Sequence, residues 1–183
     1  MGLDMYLSKK TYVRNWDHMG PDEKHQITVK KGGKIVKEIK PERISYVIEQ
    51  VAYWRKANSI HKWFVDNCQG GADDCRDAYV EKEQLMELVT LCKEVLASVE
   101  TVPGDINTGT TYHGDGRIEH HTEPGQVVAQ TGVAAAMLPT QAGCFFGGTD
   151  YDQYYLDDLR DTIKQVEPLL TEKDGDYYYH SSW

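Results

Sequence analysis

The chain has 183 residues, 40% of them hydrophobic and 27% charged, which is typical of one globular domain spanning residues 1–183. Its formal net charge of -9 argues against duplex nucleic acid as a partner, because binding the phosphate backbone requires a basic face. No apolar run reaches the length of a membrane span and the opening residues lack a signal peptide, so we expect a cytoplasmic protein without a membrane partner. The four cysteines show no C-x-x-C pattern, and neither a zinc site nor any cofactor is predicted.

Alternation of apolar and polar residues predicts strands at both ends of the chain. Leu3, Met5 and Leu7 alternate with polar residues near the N-terminus, and the tail DGDYYYHSSW predicts a C-terminal strand beside that first strand. Between them, the Gly32-Gly33 pair separates two short β-prone runs over residues 27–39. A glycine pair accepts the positive φ of a two-residue turn, so this stretch predicts a hairpin.

Helical spacing of apolar residues predicts three helices. The first is expected to begin at Pro41, which suits the first turn of a helix, and to run to Asn67. The second is predicted over residues 79–99, and the third follows Thr149, which matches the capping-box spacing together with Asp152. The predicted fold class is therefore α+β, with a small antiparallel sheet (N-terminal strand, hairpin and C-terminal strand) packed against about three helices.

Residues 101–132 form a compositional break that is rich in Gly, Thr and His, and they predict an inserted flexible loop or hairpin. Histidine and carboxylate side chains concentrate there, and both are suitable metal ligands. His120 and His121 are adjacent, however, and would point to opposite sides of a strand. A solvated polar loop is the favoured interpretation, and no metal site is predicted.

The predicted first helix changes character along one face, where aliphatic residues give way to Arg55, Asn58 and His61. Buried polar groups need partners, because an unpaired one costs about 1–3 kcal/mol. These side chains form either a closed internal network or a ligand pocket. In a pocket, Arg55 would bind an anionic or carbonyl group, Asn58 would recognise a donor and acceptor pair, and a Trp or Tyr would stack on a planar ring.

A second candidate stretch, residues 138–152, is a Gly-rich segment that leads into the N-terminus of the third helix, an arrangement also used for phosphates. Asp150 and Asp152 would compete with an anion there, so a capped helix start is the favoured interpretation. No catalytic motif is present, and no catalytic residue is predicted. The candidate ligand-binding residues from the two stretches are Tyr53, Trp54, Arg55, Asn58, His61, Trp63, Thr140, Gln141, Phe146 and Thr149.

Four segments resemble a group of small proteins carried by phages, prophages and some bacterial genomes. They are MGLDMYL at residues 1–7, VAYWRKANSIHKWFVDN at 51–67, LPTQAGCFFGGTDYDQYYLDDLRDTI at 138–163, and the aromatic tail ending SSW. Together they cover less than half of the chain, and the resemblance implies no established reaction. The sequence departs from the group over about residues 103–132.

We therefore expect a phage-type binding protein that sequesters a small nucleotide-like molecule, with a nucleotide-derived host immune signal as the candidate for an anti-defence role. One alternative is a hydrolase or nuclease-like enzyme that depends on a metal or on His61 and the histidines of residues 101–132. The other is an interaction protein that occludes a host factor through its Tyr-rich surface. A homodimer or higher homo-oligomer is expected, because a pocket shared between subunits helps a small fold to enclose a ligand.

Overall fold

The computed structural model describes residues 2–143 and 145–183, and its fold class is α+β, as predicted. Its main sheet has four antiparallel strands in the order β4-β1-β8-β5. These strands are β1 (Asp4–Tyr12), β4 (Tyr46–Arg55), β5 (Ala78–Val80) and β8 (Asp176–Ser182). The C-terminal strand β8 pairs with β1, which confirms the prediction that the first and last strands are adjacent.

The two faces of the main sheet differ in polarity because side chains alternate along each strand. One face is buried under the helices and carries Leu3, Met5 and Leu7 together with Tyr177 and Tyr179. The alternate residues of the same strands point to the other side, which remains solvent-accessible. We call that second side the outer sheet face.

The helix predicted from Pro41 to Asn67 is wrong in its first half. Pro41 opens only a short 3₁₀ turn, and residues 46–55 form strand β4, which pairs along nearly all of β1. Val51 is an extra residue opposite the Leu7–Ser8 step of β1, and it interrupts the two-residue alternation of β4. Before the bulge, residues 46–50 are exposed and carry apolar side chains on both faces, which gives a spacing like that of a helix. The β-branched and aromatic residues of β4 favour the strand.

Four helices are present in the described residues: α1 (Asn58–Cys68), α2 (Lys82–Ser98), α3 (Gly132–Met137) and α4 (Gln153–Val166). Helix α4 lies beside the edge strand β4, where the Gln165 side chain accepts a hydrogen bond of 2.9 Å from the Tyr53 backbone N–H. The indole of Trp54 also donates to Thr162 Oγ1 over 2.9 Å. The first contact uses a backbone N–H of β4 that an edge strand otherwise leaves unpaired, and the second satisfies a buried indole.

Two hairpins lie outside the main sheet. The predicted hairpin forms around Gly32 and Gly33, both with positive φ, but β2 (Lys30–Lys31) and β3 (Lys34–Ile35) make a separate two-stranded sheet. The expectation that this hairpin belongs to the main sheet is therefore wrong. The inserted segment is also a hairpin, and its strands are β6 (Thr101–Tyr112) and β7 (Ile118–Val128).

Within the described ranges, no helix combines the length and the apolar composition needed to cross a bilayer.

Candidate functional site

A cleft of about 330 Å³ lies where the end of β4, the start of α1, the segment before α4 and the long hairpin meet. The four regions are far apart in sequence, so the cleft exists only in the folded chain. Its lining is polar, and it combines two basic side chains with several carboxylates. The lining residues are Arg55, Lys56, Asn58, Ser59, Asn107, Thr108, Thr140, Gly147, Gly148, Asp150, Asp152, Tyr154, Tyr155, Asp157 and Asp158.

The basic side of the cleft is formed by Arg55 and Lys56, the last residue of β4 and its successor. Arg55 is 58% exposed at its side chain, and its Nη1 lies 3.7 Å from Asp4 Oδ1, so most of its hydrogen-bonding capacity is unused within the protein. Lys56 adopts a left-handed φ of 62°, which is uncommon for a residue with a Cβ. Its backbone N–H donates to Leu3 O over 2.8 Å, which anchors this strained residue to the chain beside β1.

Asn58, the first residue of α1, holds the segment before α4 in place. Its Nδ2 donates to Phe146 O over 3.2 Å and to Gly148 O over 2.7 Å, and its Oδ1 accepts from Gln141 N over 3.0 Å. The side chain is buried, and these three bonds use both of its donors and one acceptor site. Asn58 therefore shapes the cleft wall, and its amide has little capacity left for a ligand.

The acidic side of the cleft comes from the sequence around the start of α4. Asp152 is the N-cap of α4, and its Oδ1 accepts hydrogen bonds of 2.9 Å from Tyr154 N and 3.2 Å from Tyr155 N. Burial raises the pKa of Asp152, although these two backbone bonds oppose the shift. The sequence predicts Thr149 as the residue that caps this helix, and that prediction is wrong, because the N-cap is Asp152.

Asp158 is the most perturbed carboxyl of the cleft. Burial raises its pKa to about 7, and the neighbouring charges of Asp161, Asp157 and Asp152 act in the same direction. Its side chain makes neither a hydrogen bond nor an ion pair with any residue that the structure describes. Near neutral pH this carboxyl can therefore exist with or without its proton, and its oxygens are available to a molecule in the cleft.

His61 lies outside the cleft, in an internal network with buried Tyr179 and half-buried Asp73. Its Nδ1 lies 2.7 Å from the hydroxyl of Tyr179, and its Nε2 lies 2.9 Å from Asp73 Oδ2. Because a carboxylate only accepts, the Nε2–H donates to Asp73, and in that neutral tautomer Nδ1 accepts from the Tyr179 hydroxyl. Burial also raises the pKa of Tyr179 well above its usual value, which keeps that hydroxyl protonated. For His61 the internal-network interpretation is therefore the one that the geometry supports.

The remaining predicted site residues fall into three places. Trp54, Trp63 and Phe146 are core residues, with side chains too buried to stack on a ligand. Tyr53 lies on the outer sheet face, where its hydroxyl donates to Asp4. Of the ten predicted ligand-binding residues, Arg55, Asn58 and Thr140 line the cleft, and Thr140 Oγ1 donates to Thr149 O over 2.9 Å. Gln141 and Thr149 do not line the cleft, but their backbone groups bond to the side chains of Asn58 and Thr140, which do.

Sequence reasoning missed the acidic half of the cleft and the contribution of the hairpin. A usable signal was present in DYDQYYLDD at residues 150–158, where four aspartates and three tyrosines follow a pair of glycines. That stretch was interpreted only as a helix start. Asn107 and Thr108 carried no comparable signal, because their place in the cleft depends on how the hairpin folds back towards α4.

The histidines of the hairpin pair with their own strands. His113 Nε2 lies 3.0 Å from Glu119 Oε2, and His120 and His121 contact Thr110 and Thr111. Among residues 2–143 and 145–183, no group of three or more His, Cys, Asp or Glu side chains is arranged to hold a metal ion.

No family model, no curated protein and no solved structure matches this chain. The case for a function therefore rests on the residues of the cleft.

Proposed function

We propose that the protein is a phage-type binding protein that holds a small nucleotide-like molecule in the cleft described above. The observation that carries this proposal is the presence of Arg55 and Lys56 in the same cleft as four aspartates and Tyr154. A nucleotide combines an anionic group, hydroxyl and amino donors, and a planar ring. The cleft offers a complementary group for each of these parts.

Each part of such a ligand has a matching side chain. Arg55 can bind a phosphate through two parallel N–H donors, and Lys56 adds a second positive charge. Asp157 and Asp158 can accept hydrogen bonds from ribose hydroxyls or from an exocyclic amine. Tyr154 is 46% exposed, which leaves part of its ring available for stacking.

The size of the cleft limits the ligand. Its volume of about 330 Å³ lies near the lower end of the range of about 300–1,000 Å³ that small-molecule sites occupy. A mononucleotide, or one nucleotide unit of a larger molecule, is therefore the best match. The resemblance of residues 1–7, 51–67 and 138–163 to phage proteins supports sequestration of a nucleotide-derived host immune signal as the biological role.

Binding can be tested by thermal shift and calorimetry against a panel of cyclic oligonucleotides and ADP-ribose derivatives. Arg55→Ala is expected to weaken binding by at least about tenfold, because a charge-assisted hydrogen bond contributes about 1.5–3 kcal/mol. It should leave the fold intact, since Arg55 is exposed and its ion pair with Asp4 spans 3.7 Å.

Arg76→Ala is the matched control, because Arg76 is 82% exposed, is paired with Asp74 and does not line the cleft. It should leave binding unchanged. If every molecule in the panel gives neither a thermal shift nor heat of binding, the sequestration proposal is wrong. If Arg55→Ala unfolds the protein, Arg55 belongs to a network of contacts that stabilises the fold and is not a ligand-binding residue.

A second candidate is an acid–base enzyme that uses the same cleft, and the pKa of Asp158 near 7 favours it. In that case Asp158 would exchange a proton with the substrate at neutral pH. Incubation of the panel with the protein, followed by denaturation and mass spectrometry of the small molecules, separates the two candidates. Unchanged ligands support sequestration, whereas products that disappear with Asp158→Asn support the enzyme.

A further inference from the structure

The outer sheet face is a broad aromatic surface that no described helix covers. Its side chains come from all four strands of the main sheet, and several large ones are exposed, with Ile48 at 65% and Tyr79 at 52%. Aromatic residues of this kind, with an apolar ring and a polar tip, are enriched at protein interfaces. The face therefore has the composition of a contact surface.

We propose that the outer sheet face binds the same face of a second copy of this chain, forming a two-fold symmetric dimer. This proposal is independent of the ligand assigned to the cleft. The helices bury one face of the main sheet and leave the aromatic side chains of the other face exposed. Dimer formation would explain why those side chains are aromatic.

Aromatic side chains cross the sheet in two registered rows. In the first row, Tyr6 pairs with Tyr53 on one side and with His180 on the other, at ring-centroid distances of 5.4 Å and 5.9 Å. In the second row, the rings of Tyr178 and Tyr79 lie 5.8 Å apart. Contacts along the rows hold the rings in place before binding, so little conformational entropy is lost on association.

The charges on the face are arranged for self-complementarity. Lys10 on β1 and Asp176 on β8 are partners in the strand register, yet they form no ion pair with each other. Instead, the Lys10 ammonium lies 4.3 Å from the ring centroid of Tyr46 and 5.7 Å from that of Tyr178. Both charged groups are therefore available to a partner molecule.

A two-fold axis parallel to the strands and passing between β1 and β8 exchanges the positions of these two central strands. It places Lys10 of one copy opposite Asp176 of the other, and it does so twice in the dimer. The same operation places Tyr6 opposite His180 of the second copy. Isologous contacts of this kind are the common form of homodimer.

The dimensions of the face suit a weak dimer. Its strands β4, β1, β8 and β5 contain ten, nine, seven and three residues. At about 3.3 Å per residue and about 4.8 Å between strands, they cover about 460 Å² per copy. The total of about 900 Å² is typical of a weak interface, so we expect a dissociation constant in the micromolar range. Single-stranded nucleic acid could also stack on such rings, but the net charge of -9 opposes that occupant.

The test measures the oligomeric state of the full chain by light scattering and analytical ultracentrifugation over a range of concentrations. The wild-type protein is expected to be a dimer at about 100 µM, well above a micromolar dissociation constant. Lys10→Glu and Asp176→Lys should each weaken the dimer by at least about tenfold, because each homodimer then contains two pairs of like charges.

Mixing the two variants provides the decisive control. In a heterodimer, the carboxylate introduced at position 10 of one variant meets the ammonium group introduced at position 176 of the other. The remaining pair is the native one, so dimers should form again. Circular dichroism of each variant alone checks that the fold is retained. The proposal is overturned if the wild-type protein is monomeric, if dimers survive either single substitution, or if the mixture stays monomeric. A monomer that binds a fluorescent oligonucleotide would also overturn it.

Discussion

Asn58 Nδ2 donates to Gly148 O over 2.7 Å, and this bond ties the first turn of α1 to the segment that precedes α4. The two residues lie 90 positions apart in sequence. The basic side of the cleft is next to Asn58 and the acidic side is next to Gly148, so their relative position depends on this contact. One buried amide thus connects the stability of the fold with the shape of the candidate site.

Replacing Asn58 by Asp should destabilise the protein by about 2–3 kcal/mol. The substitution keeps the size of the side chain and an acceptor for Gln141 N, but it removes the Nδ2 donor from two backbone carbonyls. The carboxylate would also repel those carbonyl oxygens in a buried site. Urea denaturation followed by tryptophan fluorescence measures the change in the free energy of unfolding.

Asn15 provides the matched control. Its amide makes a similar two-point contact with a backbone segment, to His25 O and from His25 N, both over 2.8 Å, but it does so at an exposed position. Asn15→Asp should therefore cost less than about 1 kcal/mol, because water can replace the lost bond. Equal losses for both variants would show that the Asn58 contact has no special role.

Local periodicity was sufficient to predict β1 and β8, and it failed at β4 for a specific reason. Residues 46–50 are exposed and carry apolar side chains on both faces of β4, so they lack a two-residue alternation, and their spacing matches a helix over residues 44–51. The extra residue Val51 then shifts the alternation between Gln50 and Ala52. Only the pairing with β1 reveals the strand, and pairing across about 40 residues is not visible in a local pattern. The wrong helix then placed Trp54 and Arg55 on one face, although they lie on opposite faces of β4.

The candidate site was predictable only in part, because the cleft is assembled from distant segments. Arg55 and Asn58 were identified as polar residues that need partners, and both line the cleft. The partners themselves, Asp4 for Arg55 and the backbone of Gln141, Phe146 and Gly148 for Asn58, come from elsewhere in the chain. Asp158 could not be singled out among neighbouring aspartates, since its pKa depends on burial in the folded protein.

Lys56→Gly should stabilise the protein by about 0.5–1 kcal/mol while weakening ligand binding in the cleft. The gain arises because glycine adopts the positive φ of 62° without steric conflict between its side chain and the backbone. The loss arises because the ammonium group disappears from the basic side. Thermal unfolding and calorimetric titration with the ligand measure the two effects separately.

Lys56→Ala distinguishes strain from charge, because it removes the same ammonium group but keeps a Cβ at the positive φ. It should weaken binding as much as Lys56→Gly does and bring no gain in stability. If both variants are equally stable, the left-handed conformation at residue 56 stores no measurable strain.

Thr162→Val should destabilise the protein by about 1–3 kcal/mol, because it leaves the buried indole N–H of Trp54 without an acceptor. Thr90→Val is the matched control. Thr90 Oγ1 donates to the carbonyl four residues earlier, as Thr162 Oγ1 does, but it lies on the exposed side of α2. Its replacement should change the free energy of unfolding, measured in urea, by less than about 0.5 kcal/mol. If Thr162→Val and Thr90→Val change the free energy of unfolding by similar amounts, the hydrogen bond of the indole contributes nothing to stability.

Asp158→Asn should stabilise the protein at pH 8 and have little effect at pH 4. Burial, and then the charges of Asp161, Asp157 and Asp152, raise the pKa of Asp158 to about 7, whereas the unfolded chain has the usual value of about 4. Between these two values the folded state binds more protons than the unfolded state, so the free energy of unfolding falls as the pH rises from about 4 to about 7. Asparagine cannot ionise and avoids this loss.

The expected gain is on the order of 2 kcal/mol at pH 8 and less than about 0.5 kcal/mol at pH 4, measured by urea denaturation at both values. Asp157→Asn is the control, because Asp157 is exposed and paired with Arg160. Its replacement removes only one of the neighbouring charges that raise the pKa of Asp158, so its gain at pH 8 should be clearly smaller than that of Asp158→Asn. An equal gain from Asp158→Asn at both pH values would assign the effect to packing rather than to charge. A gain confined to high pH would show that the fold keeps a destabilising carboxylate in the cleft, which favours a binding or catalytic role for Asp158.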